Sequence, residues 1–475
     1  MRSKTKQFPW QYILFTGLTL FFTLVGLHVG LFWDNVLFVG KTGTWLFNNG
    51  IFNWFDMPIA EHSPHPYLCG TYYAAIWRLF GRSLLVSHLA TIPIIWGVLY
   101  QLWNICAYFT TSIKRHYAVF LFVCACPSFC SHCVQISQEL FILFFALYAL
   151  NSILRQEHIH KAIALCFLPL FSFRAMMICA GLFITEWCLC AARSQRFWNY
   201  KNILSYAGGL TISCLYLMLR YAIFFPTPST TNPEFFGYFN YDSISHIFYT
   251  FARNSAVLIW EYLDFGQIAL FIVGFALIIR NKENVMLQSL QFKELIICAL
   301  LPCSVIISIS LFTLNPFGHH YFLLSFLILI IAVFYLLQFS NRRKWIYIFL
   351  LLSLFAGNLI VYPEYKAQGW QNSLAHLPYW SLRRKAISEM SQRHIPIEQT
   401  ASFFPHDCEI DLVELNGDHR SFCTFTGKEE YVLYSSCFNP LDEEIDILHK
   451  QYKPLFTEKK GLVWVQVLQR KHVTP

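Results

Sequence analysis

Trp33-Asp34-Asn35, where the first apolar run ends, and Pro64-His65-Pro66-Tyr67-Leu68, which closes the loop that follows, decide how this chain is read. A carboxylate placed where a membrane helix leaves the bilayer meets a lipid-borne and a water-borne reactant together, a position suited to group transfer. The run before it, Trp10 to Gly30, follows Arg2, Lys4 and Lys6 and enters Phe32-Trp33-Asp34 without a small-residue cleavage site. It is therefore read as a retained signal anchor rather than a signal peptide.

Of the residues, 56% are hydrophobic, 18% aromatic and 13% charged, and the mean hydropathy is +0.44. That balance belongs to a chain solvated mostly by lipid. Apolar residues come in runs of about 17–25, the length that crosses roughly 30 Å of hydrocarbon as a helix. Backbone satisfaction in lipid makes such runs helical. With the N-terminus in the cytoplasm, spans are expected near 9–31, 83–109, 117–136, 138–155, 161–173, 175–192, 202–223, 255–279, 294–314, 319–338 and 345–362, about eleven crossings. The loops this places inside carry Lys114-Arg115, Arg155 to Lys161, Arg193 to Lys201, Arg280 to Lys293 and Arg342-Arg343-Lys344, as the positive-inside rule requires. The formal net charge of +8 thus reports topology and contact with anionic lipid, with no call for nucleic acid. The C-terminus falls outside.

On that outer face, residues 32–82 are expected to form two helices lying along the membrane. One is capped by Asp34 and stops at Asn49-Gly50; the other starts after Pro66 and stops at Gly81. A second outer loop, about 224–254, carries Pro226, Pro228 and Pro233 and is long enough to serve as a lid. Beyond 363 charges and turn residues return, and Glu409–Leu415, Glu430–Ser435 and Leu462–Arg470 alternate like strands. A helix between the last two is predicted with Asn439 as cap, Pro440 in its first turn and Asp442, Glu443 and Glu444 facing the positive end of its dipole. The fold class is an all-α polytopic membrane bundle, residues 1–362, followed by a small α+β extracytoplasmic domain, residues 363–475.

Most of the 16 cysteines lie in the apolar runs, where the residue behaves as a small hydrophobe. Cys124, Cys126, Cys130 and Cys133 crowd one run end, and apolar packing explains them better than a metal does. In an oxidising compartment Cys408, Cys423 and Cys437 allow one disulfide and leave one thiol over.

Ionisable groups in a bilayer are costly, and their presence there points to function. Asp34, Glu139, Arg174, Arg220, Arg253, Glu261, Asp264, His319 and His320 all fall near the outer ends of the predicted spans; Glu186 lies deeper. Singly each has a plain reading, the acids as helix caps and the arginines as snorkelling anchors. Acids and bases gathered on one face can instead bind a phosphate and deprotonate a hydroxyl side by side.

The chain at this point resembles the GT-C membrane glycosyltransferases, and within them glycosyltransferase family 39 in the broad sense, the branch of the protein O-mannosyltransferases and the lipid A aminoarabinose transferase. The resemblance rests on Trp33-Asp34-Asn35 after the first span and on His65-Pro66-Tyr67-Leu68 before an aromatic helix ending Leu79-Phe80-Gly81-Arg82-Ser83. Gln138-Glu139-Leu140 and His319-His320-Tyr321-Phe322-Leu323 extend it, so that it covers about residues 8–340 and leaves the tail aside. It implies transfer of a sugar from a polyprenyl-phosphate carrier of the undecaprenyl or dolichyl type, with inversion, to a protein, lipid A or glycan acceptor outside the plasma (inner) membrane. Asp34 takes the place of the family's first-loop acid. The chain departs from the common pattern in Asn35 for a second acid, in His65-Pro66-Tyr67 for His-Pro-Pro or Lys-Pro-Pro, and in histidine for a late arginine; these departures bear on the phosphate ligands and the sugar.

The chemistry points the same way without the name. An oxocarbenium-like transition state needs a base for the acceptor hydroxyl and positive charge for the departing phosphate. Asp34 suits the first role, with Glu139 orienting the acceptor or holding an arginine. Arg174, Arg253, His319 or His320 suits the second, arginine being favoured for its bidentate fit, and His65 and Tyr321 complete the expected substrate-binding set. No resident cofactor is called for; a divalent cation on Asp34, Glu139 and His65 is an alternative that spacing alone does not support. A transporter or flippase of a lipid-linked solute would also need charges within a bundle, but would show repeated halves and broken midplane helices. A scaffold would have no use for Asp34.

Overall fold

The computed structural model describes residues 10–58, 61, 65–219, 239–281, 285–314 and 317–471. The basic N-terminus, Pro64, Arg220 and the expected lid up to residue 238 lie outside the described residues. Helix α1 (Trp10–Gly26) leads to a π-helical turn (Val36–Lys41) and α2 (Thr42–Asn49), which packs on α3 (Leu68–Phe80). Both outer-loop helices stop where the sequence places their ends, at Gly50 and Gly81. Ser83 then caps α4 (Leu84–Phe109) by accepting from Val86 N.

The bundle continues with α5 (Ile113–Cys124), α6 (Pro127–Val134), α7 (Gln138–Arg155), α8 (His158–Phe167), α9 (Phe173–Ala192), α10 (Tyr200–Leu219), α11 (Ile244–Leu263), α12 (Ile268–Arg280), α13 (Leu290–Leu300), α14 (Ser304–Ser310), α15 (Leu323–Leu337) and α16 (Arg343–Gly357). Six segments among the described residues are long and apolar enough to cross a membrane: Leu84–Phe109, Gln138–Arg155, Phe173–Ala192, Tyr200–Leu219, Leu290–Ser310 and His319–Leu337.

Two stretches expected as straight spans are broken. α5 and α6 meet at 69°, because Pro127 opens α6 at a first-turn position where its missing N–H goes unneeded. α11 and α12 meet at 88°. There Phe265 (φ 48°) and Gly266 (φ 78°) both take left-handed backbone, and a Cβ on Gly266 would lie 2.1 Å from the Ser353 carbonyl oxygen of α16. Only glycine lets the bend sit against that helix.

The tail begins with α17 (Leu377–Gln392), which packs on a five-stranded sheet of order β2-β1-β3-β5-β4. The strands are β1 (Thr400–Ser402), β2 (Cys423–Thr424), β3 (Tyr431–Ser435), β4 (Tyr452–Lys460) and β5 (Val463–Arg470). β1 runs parallel to β2 and β3, and β5 antiparallel to β3 and β4. Short helices α18 (Ile410–Glu414) and α19 (Asp442–Gln451) complete it.

Two tail expectations need correction. Glu409–Leu415 holds helix α18 rather than a strand: Asp411 accepts from Gly417 N at 2.6 Å and pairs with Arg82, folding the segment back on itself. Asn439 does not cap α19 but bonds the Gln368 backbone through both side-chain atoms (3.2 and 3.0 Å), while the Leu441 N–H at the helix start donates to Glu444 Oε2 at 2.7 Å. All sixteen cysteines are free thiols, Cys408, Cys423 and Cys437 included.

The tail clamps the first outer loop. Leu31 N donates to Val413 O (2.8 Å), Arg384 to His28 O (2.6 Å), and Phe32 sits among the rings of His376, Tyr379, Trp380 and His406. A Cβ on Gly40 would come 2.5 Å from Leu412 O, so this approach too depends on glycine. The loop that carries Asp34 is thereby wedged between bundle and tail.

Candidate active site

Asp34 lies in the turn before the π-helical segment, its carbonyl oxygen accepting from Leu37 and Phe38 N–H at 3.0 Å each. Its carboxylate makes no hydrogen bond or ion pair among the described residues, so the capping role expected from sequence is not fulfilled. Trp33 beside it holds φ at 50°, left-handed backbone that a bulky residue adopts only at a cost. Burial raises the Asp34 carboxyl above the ordinary carboxylate range, and the charge of Arg174 opposes part of that rise.

Opposite Asp34, α7 and α9 both begin, each capped by a serine. Ser137 Oγ accepts from Glu139 N (3.2 Å) and Ser172 Oγ from Ala175 N (3.1 Å). Glu139 and Arg174 therefore sit in the first turns of neighbouring helices, and Arg174 Nη2 meets Glu139 Oε1 at 2.7 Å. A cation in the first turn of α9 opposes the helix dipole; Glu139, in the favoured place on α7, compensates it. Arg174 Cζ lies 4.1 Å over the Tyr321 ring. His320 Nε2 is 4.0 Å from the same Glu139 oxygen, and its Nδ1 is 3.0 Å from Gln371 Nε2. Arg174 is buried, yet Nη1 has no partner among the described residues. Glu139, Arg174, His320 and Tyr321 form the polar end of a cleft whose other walls are Ile142, Leu143, Ala146, Ile178, Leu323 and Leu324.

The outer loop fixes both helix starts. Asn35 Oδ1 accepts from Gln138 N at 3.0 Å, holding the head of α7, while His65 Nδ1 accepts from Phe173 N at 3.4 Å, holding the head of α9. His65 is seated between the rings of Phe38 and Phe173. Asn35, which replaces an acid of the resembled family, thus does positional work that a carboxylate would also perform but with added charge.

The remaining ionisable residues lie elsewhere. Arg253 donates to Leu314 O at 2.6 Å and to Asn254 Oδ1 at 3.1 Å. His319 is enclosed at the α11–α12 bend, 3.4 Å from Glu261 and 3.2 Å from Gln267, and Asp264 accepts from Tyr362 OH and Phe265 N there. Glu186 pairs with Lys161 at 2.6 Å and accepts from Tyr206 OH. These contacts consolidate the fold. The structure therefore brings together Asp34, Glu139, Arg174, His320, Tyr321 and His65, and leaves Arg253 and His319 apart from them. Gln371, absent from the set expected on sequence, lies in a connection after the last apolar run, where nothing in the pattern marks it.

Among the described residues, Asp34, Glu139 and His65 do not converge as a ligand set; the one acid and histidine group of that kind is Glu409, Asp411 and His419 in the tail. Glu139 is held by Arg174 and His65 by the α9 backbone.

No family model matches the chain, and no curated protein matches it in sequence. Solved structures do match its fold. The crystal structure of ArnT from Cupriavidus metallidurans bound to undecaprenyl phosphate superposes with a TM-score of 0.52 at 11% identity, covering 96% of this chain and 97% of that one. The apo form of ArnT gives 0.50 at 12% identity with the same coverage. At such identity the likeness speaks for architecture, and it spans bundle and tail alike: the chain is a multi-pass helical membrane protein with the fold of ArnT and a small C-terminal sheet domain.

Proposed function

We propose that this protein is an inverting glycosyltransferase that moves a sugar from a polyprenyl-phosphate carrier to a hydroxyl-bearing acceptor, a protein, lipid or glycan, on the outer face of the plasma membrane. The observation that carries the reading is Asp34, a carboxylate with no hydrogen bond or ion pair among the described residues, in the field of a buried arginine, Arg174, that has one nitrogen unpartnered among them and lines the polar end of an apolar cleft. Asp34 takes the proton of the acceptor hydroxyl as its oxygen bonds to the anomeric carbon. The bond from that carbon to the phosphate oxygen breaks on the opposite face, and Arg174 Nη1 receives the charge left on phosphate. Glu139 holds Arg174 in place, His320 and Tyr321 shape the headgroup end, and the aliphatic walls accept the first units of the chain. That one ArnT structure holds undecaprenyl phosphate in the same fold agrees with this.

The test is purified protein in nanodiscs given polyprenyl-phosphate pentoses and hexoses with candidate acceptors, free polyprenyl phosphate being the product followed. Movement of intact donor between leaflets with no cleavage would replace the transferase with a flippase.

The reading also needs the site to face outward. Single cysteines placed beyond residue 363 should react with an impermeant thiol reagent in intact spheroplasts, and cysteines in the Arg342-Arg343-Lys344 loop should react only after lysis. Exposed Cys214 and half-buried Cys408 and Cys423 are replaced first. A protected tail would turn the active site to the cytoplasm and sink the proposal.

A further inference from the structure

Helix α15 begins at the site, just after His320 and Tyr321, and its far end opens on a second cavity. The cavity, of about 430 Å³, lies where α15 ends and α5, α13 and α16 begin. Lys114, Arg115, Arg343 and Lys344 line it, and among the described residues no acid does. The side chains of Lys114, Arg343 and Lys344 make no hydrogen bond or ion pair among the described residues, while that of Arg115 reaches only Gln338 Oε1 at 3.4 Å. The walls behind them are apolar, with Ile331, Phe334 and Tyr347 facing in. Gln338 Nε2 is buried among them without a partner among the described residues.

The positive-inside rule accounts for basic residues at this level. It does not account for their meeting at one hollow from two loops far apart in sequence. Nor does it explain their placement in the first turns of α5 and α16, which carry no acid there. Cations at the positive end of two helix dipoles, beside one another, are unfavourable without a counter-charge. A donor buried with no acceptor adds a second unmet demand. A phosphate meets both, and the apolar walls suit a chain attached to it.

We propose that this cavity binds an anionic phospholipid of the adjoining leaflet. Its phosphate is held by Lys114, Arg115, Arg343 and Lys344 and accepts from Gln338 Nε2, and an acyl chain lies along Ile331, Phe334 and Tyr347. Four cations match a headgroup with two phosphates better than one with a single phosphate.

Full-length protein in neutral detergent is titrated with diphosphatidylglycerol, phosphatidylglycerol, phosphatidylcholine and inorganic phosphate, with bound lipid counted by native mass spectrometry and melting followed in parallel. Diphosphatidylglycerol should bind tightest and phosphatidylcholine not measurably. Removing two charges in Lys114→Gln/Arg343→Gln should weaken binding by about fivefold for each charge. Gln338→Leu keeps every charge and should still weaken it severalfold, whereas Arg196→Gln/Arg280→Gln, which removes two exposed unpaired charges elsewhere, should not. Equal losses in both charge variants, or no loss in Gln338→Leu, would reduce the cavity to diffuse surface attraction. Stabilisation by inorganic phosphate equal to that by lipid would also overturn the lipid assignment. Circular dichroism of each variant separates lost binding from lost fold.

Discussion

Asp34→Asn is expected to lower turnover by roughly 10²–10⁴-fold, the usual contribution of a general base, with donor affinity intact. The substitution preserves shape and, because the Asp34 carboxylate has no partner among the described residues, it breaks no hydrogen bond. Stability should therefore hold. Burial lifts the folded-state pKa of Asp34, which means the ionised form is disfavoured on folding at neutral pH, so a neutral amide should keep or slightly raise the melting temperature. The base works deprotonated. Activity should accordingly fall as pH drops through that raised pKa, giving an acid limb of kcat/KM above the ordinary carboxylate range, and the residual activity of the variant should lack the limb. The measurement is single-turnover transfer from lipid-linked sugar across pH, with donor binding followed separately. Near-parental turnover by the variant would remove Asp34 from the mechanism and leave the strained turn at Trp33 without a catalytic reason.

What the sequence makes legible follows from which forces act locally. The outer-loop helices end at Gly50 and Gly81 as expected, because a helix stop is a local backbone choice. Strands β3 and β5 fall where the sequence places strands: β5 alternates buried and half-buried positions over Val463–Val467, and β3 is a short apolar run buried along most of its length. β4 is not: Lys453, Lys459 and Lys460 fill it, charge being one means by which an edge strand avoids unwanted pairing, and the same charge hides it from a hydrophobic pattern. The bends at Pro127 and Gly266 fall inside runs apolar enough on average to be read as single spans, since lipid exposure asks only for hydrophobicity and says nothing of helix direction.

The site divides in the same way. Asp34, Glu139 and Arg174 stand out because charge near lipid is costly, and that rule finds the charges without sorting them. By the same rule Arg253 and His319 look alike to Arg174 and His320, yet the fold gives the first pair carbonyl, amide and ring contacts of their own. The linkage of Asn35 to α7 and of His65 to α9 joins residues far apart in the chain. No periodicity records it. Gln371 and the clamp of α18 on the first loop are likewise tertiary facts, supplied by a tail in which no motif marks either of them.

Arg174 should prove to be the phosphate contact, and separating that role from its structural one takes more than alanine. Arg174→Ala leaves Glu139 buried and unpaired, a change that costs about 3–5 kcal/mol of stability where such pairs are broken. The variant is therefore expected to express poorly. The informative variants are Arg174→Lys, which keeps the charge but loses the fork, and Arg174→Gln/Glu139→Gln, which removes both charges and leaves two amides able to bond each other. Both should fold. Loss of a charged hydrogen bond to phosphate is worth about 1.5–3 kcal/mol, so each should bind polyprenyl-phosphate sugar roughly 10–100-fold more weakly, the lysine variant less severely. Arg253→Ala should do the reverse: it removes the 2.6 Å bond to the carbonyl of Leu314, which lowers the melting temperature while leaving donor affinity alone. Affinities measured by quenching of a fluorescent polyprenyl-phosphate analogue, beside melting curves for the same preparations, decide between them. If the paired-amide variant binds donor as tightly as the parent, the unpartnered Nη1 is not the phosphate ligand, and His320, a remaining polar group at the head of the cleft, becomes the residue to test.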